Sequence, residues 1–135
     1  PVIGAGTYAD NRSCAVSATG AGEYFIRVGV AQEICTRLRL AWTDLLEEAE
    51  ESVPRDELGF PEYAVHASEL WLDEDDVRQV ADEVLAEVKD LGGDGGVIVV
   101  SPFGPAVFSF NTPGMYRARE TSKGVKEVAI FGEGE

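Results

Sequence analysis

The chain has 135 residues, of which 44% are hydrophobic, and its formal net charge is −14. This length and composition are typical of a single globular domain, which we expect to span residues 1–135. The acidic balance argues against binding to nucleic acid or to an anionic membrane surface, because phosphate groups would be repelled. The sequence shows no apolar run of about 18 residues and no recognisable signal-peptide pattern, so we expect no membrane span and a cytoplasmic location. It begins with Pro1 rather than Met, so we expect it to be part of a longer product.

Most of the negative charge lies in the middle of the chain. Residues 44–94 contain 18 acidic and 3 basic side chains, whereas the remainder is nearly neutral. Such a block is typical of a solvated helical surface, which is the interpretation that we favour. A docking face for a basic partner or an adaptation to high salt is the alternative.

The cysteines and the one histidine do not form a recognisable site. Cys14, Cys35 and His66 are too few for a four-ligand zinc site, and two cysteines are too few for a disulfide scaffold. We therefore expect two reduced, buried thiols and a histidine on the surface or in packing. The sequence predicts no metal site and no cofactor.

The N-terminal part combines glycine-rich segments with one strongly apolar segment. Residues 1–10 predict a loop with short extended structure, and residues 14–18 predict a short buried strand. A glycine-rich corner follows at 19–23. Over residues 23–40 the apolar side chains fall on two adjoining helical faces, which predicts one mostly buried helix.

Residues 41–68 show the least regular pattern. Thr43 is a candidate N-cap for a short acidic helix over 44–51. Pro54 and Pro61 then interrupt regular structure. The large apolar residues that follow indicate that this stretch packs against the domain.

The most regular helical pattern covers residues 73–91. Apolar residues recur there every three or four positions. Asp73 is a good N-cap, and Gly92 and Gly93 supply a left-handed stop.

The last third of the chain predicts strands. Residues 97–100 and 106–110 predict a β-hairpin, because the prolines between them are confined to the connection. Residues 111–115 predict a turn or loop, and residues 126–131 predict a further strand. Since no helix separates these strands, the sequence predicts an α+β fold in which helices pack on a largely antiparallel sheet.

The corner Thr19-Gly20-Ala21-Gly22 is the candidate functional site. A strand leads into the glycines and a helix follows, so the first unpaired amides of that helix would face an anion or a developing oxyanion. Glycine lets the backbone approach a ligand closely, and the Thr19 hydroxyl adds a donor. Alone, the motif is more typical of a tight turn between small residues.

Four separated segments carry a family resemblance. GAGTYADN at 4–11, VSATGAGEYFIR at 16–27, LGGDGG at 91–96 and FNTPGMYR at 110–117 occur in the same order in the plant-type L-asparaginases, also called isoaspartyl peptidases. These enzymes are N-terminal nucleophile hydrolases. The chain resembles the later part of their β subunit, over about residues 1–40 and 73–117.

The resemblance implies a fold and an activity. The fold is an αββα sandwich built by two subunits, which arise when a precursor cleaves itself. The new N-terminal threonine of the β subunit, with its own amine as base, attacks the side-chain amide of L-asparagine or of a β-aspartyl dipeptide. An acyl-enzyme forms, and water releases aspartate. The implied partners are an α subunit and the preceding part of the β subunit, in an (αβ)2 heterotetramer.

The resemblance also implies roles for three residues of this chain. Thr19 matches the threonine whose hydroxyl helps to hold the oxyanion, and Gly20 matches the glycine whose backbone amide completes the oxyanion hole. Gly22 matches the glycine whose backbone contacts the bound amino acid. The family's nucleophile and its GRVGDS segment, which binds the substrate carboxylate and amine, precede the block that begins here with Pro1. We therefore expect the isolated chain to be inactive.

Other segments leave alternatives open. Asn111 and Thr112 fit a conformational loop near the site better than a direct catalytic role, and Arg27 and Arg117 fit salt bridges better than substrate binding. Residues 41–68 form an acidic insertion relative to the family. The insertion either covers the active site, alters the dimer interface or binds a partner, or it is a tolerated surface excursion.

Two other functions compete with the asparaginase interpretation. One is a glycosylasparaginase-like or endopeptidase hydrolase of the same superfamily, against which FNTPGMYR argues. The other is a non-catalytic acidic interaction domain built on a degenerate hydrolase fragment.

Overall fold

The structure, a computed structural model, describes residues 1–52, 72–102, 104 and 106–132. These residues form three helices and six strands. In chain order they are β1 (Thr7–Asp10), β2 (Cys14–Gly20), α1 (Gly22–Val28), α2 (Val30–Ser52), α3 (Glu74–Asp90), β3 (Gly95–Val100), β4 (Ala106–Phe110), β5 (Gly114–Glu120) and β6 (Lys126–Phe131). The helices pack on an antiparallel sheet, which confirms the α+β class.

A four-stranded sheet carries the candidate site. Its strand order is β1-β2-β3-β4, and each neighbouring pair is antiparallel. In the central pair, Thr19 lies opposite Gly96 and Gly20 lies opposite Gly95. The strands β3 and β4 form the hairpin that the sequence predicts.

The hydrophobic core lies between one face of this sheet and the helices. The sheet contributes alternate residues, among them Val16, Val97 and Val99, because successive side chains of a strand point to opposite faces. The main helical contribution consists of Val30, Ile34, Leu38, Val77, Val84 and Val88. On the opposite face of the sheet, Ile98 is 40% exposed and Val100 is 44% exposed. The described helices therefore cover only one side of the sheet.

Gly29 divides the segment predicted as one helix over 23–40. It adopts a left-handed conformation with φ 69°, and its N–H donates to the carbonyl O of Phe25 at 2.9 Å, which ends α1. The next helix, α2, begins at Val30 and extends to Ser52, well beyond Leu40. The prediction of one helix was wrong because the apolar stripe continues on both sides of the glycine, so periodicity does not mark the break.

The predicted cap at Thr43 is also wrong. Thr43 lies inside α2, and its Oγ1 donates to the carbonyl O of Arg39, four residues earlier in the same helix, at 2.9 Å. The predicted short helix over 44–51 is therefore a continuation of α2. The rest of the acidic insertion, including His66, lies outside the described residues.

The predicted helix over 73–91 is confirmed as α3. The Asp73 Oδ1 accepts from the backbone N–H groups of Asp75 and Asp76, both at 2.9 Å. The Asp76 carboxylate accepts in turn from the N–H of Asp73 at 3.1 Å, which completes a capping box. At the other end, Gly92 has φ 97°, as the predicted stop requires.

The segment 111–115, predicted as a turn or loop, leads directly into a strand. β5 begins at Gly114 and pairs antiparallel with β6, the strand predicted at 126–131, in a separate two-stranded sheet. The turn signal of Pro113-Gly114 masks the start of β5, since these residues usually interrupt regular structure.

A disulfide bond joins Cys14 and Cys35, which corrects the prediction of two reduced thiols. Cys14 begins β2 and Cys35 lies in α2, where the packing of helix on sheet brings their Cα atoms to 5.3 Å. This separation is in the usual range for a disulfide. Both side chains are buried, as predicted, and the bond ties the strand that carries Thr19 to the helix packed on it.

Arg37 bridges the acidic surfaces of α2 and α3. Its Nε lies 2.8 Å from Glu33 Oε1, and its Nη2 lies 2.5 Å from Glu87 Oε1. The hydrogen bonds that Arg37 donates to Glu87 and Glu33 raise the pKa of Arg37 above its ordinary value. The arginine therefore stays charged and offsets part of the repulsion between the two helices.

Candidate active site

The corner between β2 and α1 contains the three residues that the sequence singles out. β2 ends at Gly20, and α1 begins at Gly22. Between them, Ala21 donates its N–H to the carbonyl O of Asp94 at 2.8 Å. Because that amide is engaged, the amides of Gly20 and Gly22 are the candidate donors to a ligand.

The direction of the Gly20 amide follows from the strand geometry. Ala18, two residues earlier, donates its N–H to the carbonyl O of Gly6 at 2.9 Å. Amides of alternate residues in a strand point to the same side, so the Gly20 N–H also points toward the side of the N-terminal segment. That side is where the cleft described below lies.

Gly20 and Gly95 must be glycines because two backbones meet there. Their φ angles are 148° and 156°. A Cβ on Gly20 would collide with the carbonyl O of Asp94, and a Cβ on Gly95 would collide with the carbonyl O of Thr19. The ring of Phe25 closes the remaining space, since its Cε2 would lie 2.8 Å from a Cβ on Gly20. The backbone at the corner is thus held in one position by steric contacts.

Gly22 differs from these two glycines because it is not restricted by neighbouring atoms. A Cβ added there would meet no atom within 4 Å, and its φ is not in the left-handed range. The described part of the chain therefore does not require glycine at this position. The free space beside Gly22 is available to a ligand or to another part of the protein.

Thr19, Gly20 and Gly22 are exposed and border one cleft of about 280 Å³. The other lining residues are Pro1, Val2, Ala5, Gly6, Ala18, Phe25 and Ile26. All the side chains in this second group are apolar. The Thr19 hydroxyl is therefore the polar side-chain group among these lining residues, and the backbone amides of the corner add further donors for a ligand.

The other residues weighed as site candidates do not line this cleft. Arg117 lies 5.2 Å from the centre of the Phe110 ring, and its Nε lies 3.8 Å from Glu127 Oε1. The hydroxyl of Thr112 donates to the carbonyl O of Gly114 at 2.8 Å, which shapes the turn into β5. Arg27 is exposed on α1.

Sequence reasoning missed two residues that complete the corner, Phe25 and Gly95. Asn111, which the sequence predicts to lie in a conformational loop near the site, accepts a hydrogen bond from the N–H of Gly95 at 2.8 Å. Gly95 and Asn111 lie within LGGDGG and FNTPGMYR, so the signal was present. Their role depends on the pairing of β2 with β3, which sequence patterns do not reveal.

The carboxyl with a shifted pKa, Asp10, lies outside this corner. The Arg12 side chain hydrogen bonds to Asp10 at the turn between β1 and β2 and lowers the pKa of that carboxyl to about 2. Over the described ranges, no group of three or more His, Cys, Asp or Glu side chains could hold a metal ion. In the same ranges, no helix has the length and apolar character needed to cross a membrane.

Comparison with known proteins identifies the family of the chain. Residues 1–59 match a family model described as asparaginase. The chain is 33% identical to an isoaspartyl peptidase of Escherichia coli over 118 residues, which is 87% of this chain and 27% of that protein. The chain belongs to the asparaginase family. The resemblance inferred from the four sequence segments is thereby confirmed at the level of the family.

Two further relatives show what fraction of a whole asparaginase-family protein this chain covers. It is 32% identical to an isoaspartyl peptidase of Salmonella typhimurium over 118 residues, which is 87% of this chain and 28% of that protein. It is 33% identical to "Probable isoaspartyl peptidase/L-asparaginase 2" of Arabidopsis thaliana over 131 residues, 97% of this chain and 30% of that protein. The chain thus spans less than a third of these curated relatives.

Proposed function

We propose that this chain supplies the oxyanion and substrate-binding corner of an amidohydrolase that acts on L-asparagine and β-aspartyl dipeptides. The observation that supports this proposal is the placement of Thr19, Gly20 and Gly22 around one cleft of about 280 Å³. A hydroxyl and two backbone amides beside apolar walls suit the stabilisation of negative charge that develops on a carbonyl oxygen. The names of the relatives indicate the substrate class.

In the proposed reaction, a threonine from outside this chain attacks the side-chain amide carbonyl of the substrate. Its own terminal amine takes the hydroxyl proton and passes it to the leaving ammonia or amine. The Thr19 hydroxyl and the Gly20 N–H donate to the oxyanion of the tetrahedral intermediate. Water then hydrolyses the acyl-enzyme and releases aspartate. The backbone of Gly22 contacts the bound amino acid, which the free space beside it permits.

The assembly is part of the same proposal. A precursor cleaves itself, and the α subunit and the rest of the β subunit complete an αββα sandwich in an (αβ)2 heterotetramer. The open face of the four-stranded sheet supports this, because Ile98 and Val100 would be covered by a second sheet. The isolated chain is then inactive, since the nucleophile belongs to the preceding part of the β subunit.

We retain the cytoplasmic location as a prediction. The disulfide between Cys14 and Cys35 is a feature that is more common in oxidising compartments.

The test is a kinetic comparison in the full-length protein that contains this chain. Wild type, Thr19→Ala and Ser17→Ala are assayed for release of aspartate from L-asparagine and from a β-aspartyl dipeptide. Ser17 is a matched control because it lies on the same face of β2 but does not line the cleft. Losing one oxyanion donor lowers kcat by about 10²-fold, with little change in KM.

The outcomes of this comparison separate the alternatives. Hydrolysis by wild type and by Ser17→Ala, together with a strong loss of kcat in Thr19→Ala, supports the proposal. A wild-type protein that hydrolyses neither substrate would refute it. Equal kcat values for Thr19→Ala and wild type would remove the oxyanion role of Thr19 while leaving the substrate class intact.

A further inference from the structure

We infer that Asn111 is a positioning residue for the oxyanion corner. It does not line the cleft, but it holds the segment 93–95 against Thr19 and Gly20. This inference rests on the proposed function, because it assigns to Asn111 the alignment of the donors that would stabilise the oxyanion.

Asn111 forms four hydrogen bonds with residues distant in sequence. Its Oδ1 accepts from the N–H of Gly95 at 2.8 Å, and its backbone N–H donates to the carbonyl O of Gly95 at 3.1 Å. Its Nδ2 donates to the carbonyl O of Leu85 at 3.2 Å and to that of Gly93 at 3.4 Å. One amide side chain thus joins α3, the loop after it and the start of β3.

The segment held by Asn111 is in direct contact with the site. Asp94 accepts the N–H of Ala21 at 2.8 Å, and Gly95 lies opposite Gly20 in the sheet. These are contacts of backbone on backbone, and no Cβ fits between them. A displacement of Gly95 must therefore move Gly20, because close-packed groups transmit a shift to their neighbours.

The contacts of Asn111 require a side chain that both accepts and donates hydrogen bonds. The side chain must accept from one N–H and donate to carbonyl oxygens at the same time, which asparagine does and an ionised carboxylate cannot. In Asn111→Asp, the ionised carboxylate would face the carbonyl oxygens of Leu85 and Gly93. These oxygens disfavour the charged form and raise the pKa of the introduced carboxyl. The protonated acid, in contrast, can accept from Gly95 and donate to a carbonyl, as asparagine does.

The test measures kcat and KM against pH for the full-length protein. The variants are Asn111→Asp, Asn111→Ala and the control Gln79→Glu, which makes the same amide-to-carboxyl change on the exposed side of α3. We expect Asn111→Asp to match wild type at low pH and to lose about tenfold in kcat as the introduced carboxyl ionises. Asn111→Ala should be at least tenfold slower at every pH, since the three hydrogen bonds of the side chain are lost throughout. KM should change far less than kcat, and Gln79→Glu should follow wild type.

A second measurement keeps this inference separate from the proposed function. The backbone amide resonance of Gly20 is followed by NMR during a pH titration of wild type, Asn111→Asp and Gln79→Glu. A Gly20 resonance that titrates only in Asn111→Asp supports the positioning role, even if the wild-type protein hydrolyses neither substrate. A Gly20 resonance unaffected by the introduced carboxyl would overturn it, as would an Asn111→Asp variant whose kcat follows the wild-type pH profile throughout.

Discussion

The disulfide between Cys14 and Cys35 should stabilise the fold by an amount that can be calculated from the length of the loop it closes. The two residues are 21 positions apart, and cross-linking a loop of that length removes conformational entropy from the unfolded state. The chain-entropy relation gives a stabilisation of about 3 kcal/mol for such a loop. We therefore expect reduction to lower the free energy of unfolding of the full-length protein by about this amount, which corresponds to a rise of about 10²-fold in the unfolded fraction.

The assay is equilibrium denaturation in urea, with and without a thiol reductant. Because both sulfur atoms are buried, the bond is reduced in denaturant before refolding. The matched control is the double variant Cys14→Ala/Cys35→Ala, whose stability should not respond to reductant. Alkylation of the denatured protein should label Cys14 and Cys35 only after reduction. Labelling of both thiols without reduction, or an unfolding curve that reductant does not shift, would refute the reasoning.

Two further predictions concern the site and the β1–β2 turn. Gly22→Ala should not lower stability but should raise KM at least several-fold, because its Cβ meets no atom of the described chain yet occupies the space proposed for the substrate. Gly20→Ala, in contrast, should destabilise the fold. Urea denaturation and steady-state kinetics check both. The pKa of Asp10, followed by NMR, should lie near 2 and return toward 3.8 in Arg12→Gln. Since the folded-state pKa is lowered, the stabilisation from Asp10 is present above about pH 4 and is lost as the pH falls toward 2.

The helical predictions depended on local signals, and they succeeded only where those signals were unambiguous. α3 was predictable because Asp73 caps it, its apolar residues keep one period and Gly92 ends it. The division at Gly29 was not, since buried residues such as Phe25 and Val30 continue the apolar stripe on either side. A glycine within a periodic pattern is tolerated in many helices, so the pattern alone does not distinguish a weak position from a break.

The disulfide and the contact of Gly95 with the corner depend on residues that are distant in sequence. The sequence spacing of Cys14 and Cys35 does not predict that their Cα atoms lie 5.3 Å apart, because a strand and a helix bring them together only in the folded chain. In the same way, the motif at Thr19 and Gly20 is contiguous and was predictable, but Gly95 joins it only through the pairing of β2 with β3. Sequence reasoning therefore located the corner but not what holds it in place.

Three glycines at the corner, Gly20, Gly22 and Gly95, show which positions the fold restricts to glycine and which position a ligand would restrict. Gly20 and Gly95 have positive φ angles, and a Cβ on either one would collide with a carbonyl oxygen of the facing strand or loop. Gly22 has neither constraint in the described chain, and alanine would be the better helix former at the start of α1. A glycine that costs helix stability and leaves open space at the mouth of a cleft is accounted for if that space is occupied in the working protein. This is why Gly22→Ala, which should leave the fold intact, tests the substrate contact more directly than a change at Gly20, where folding and binding would fail together.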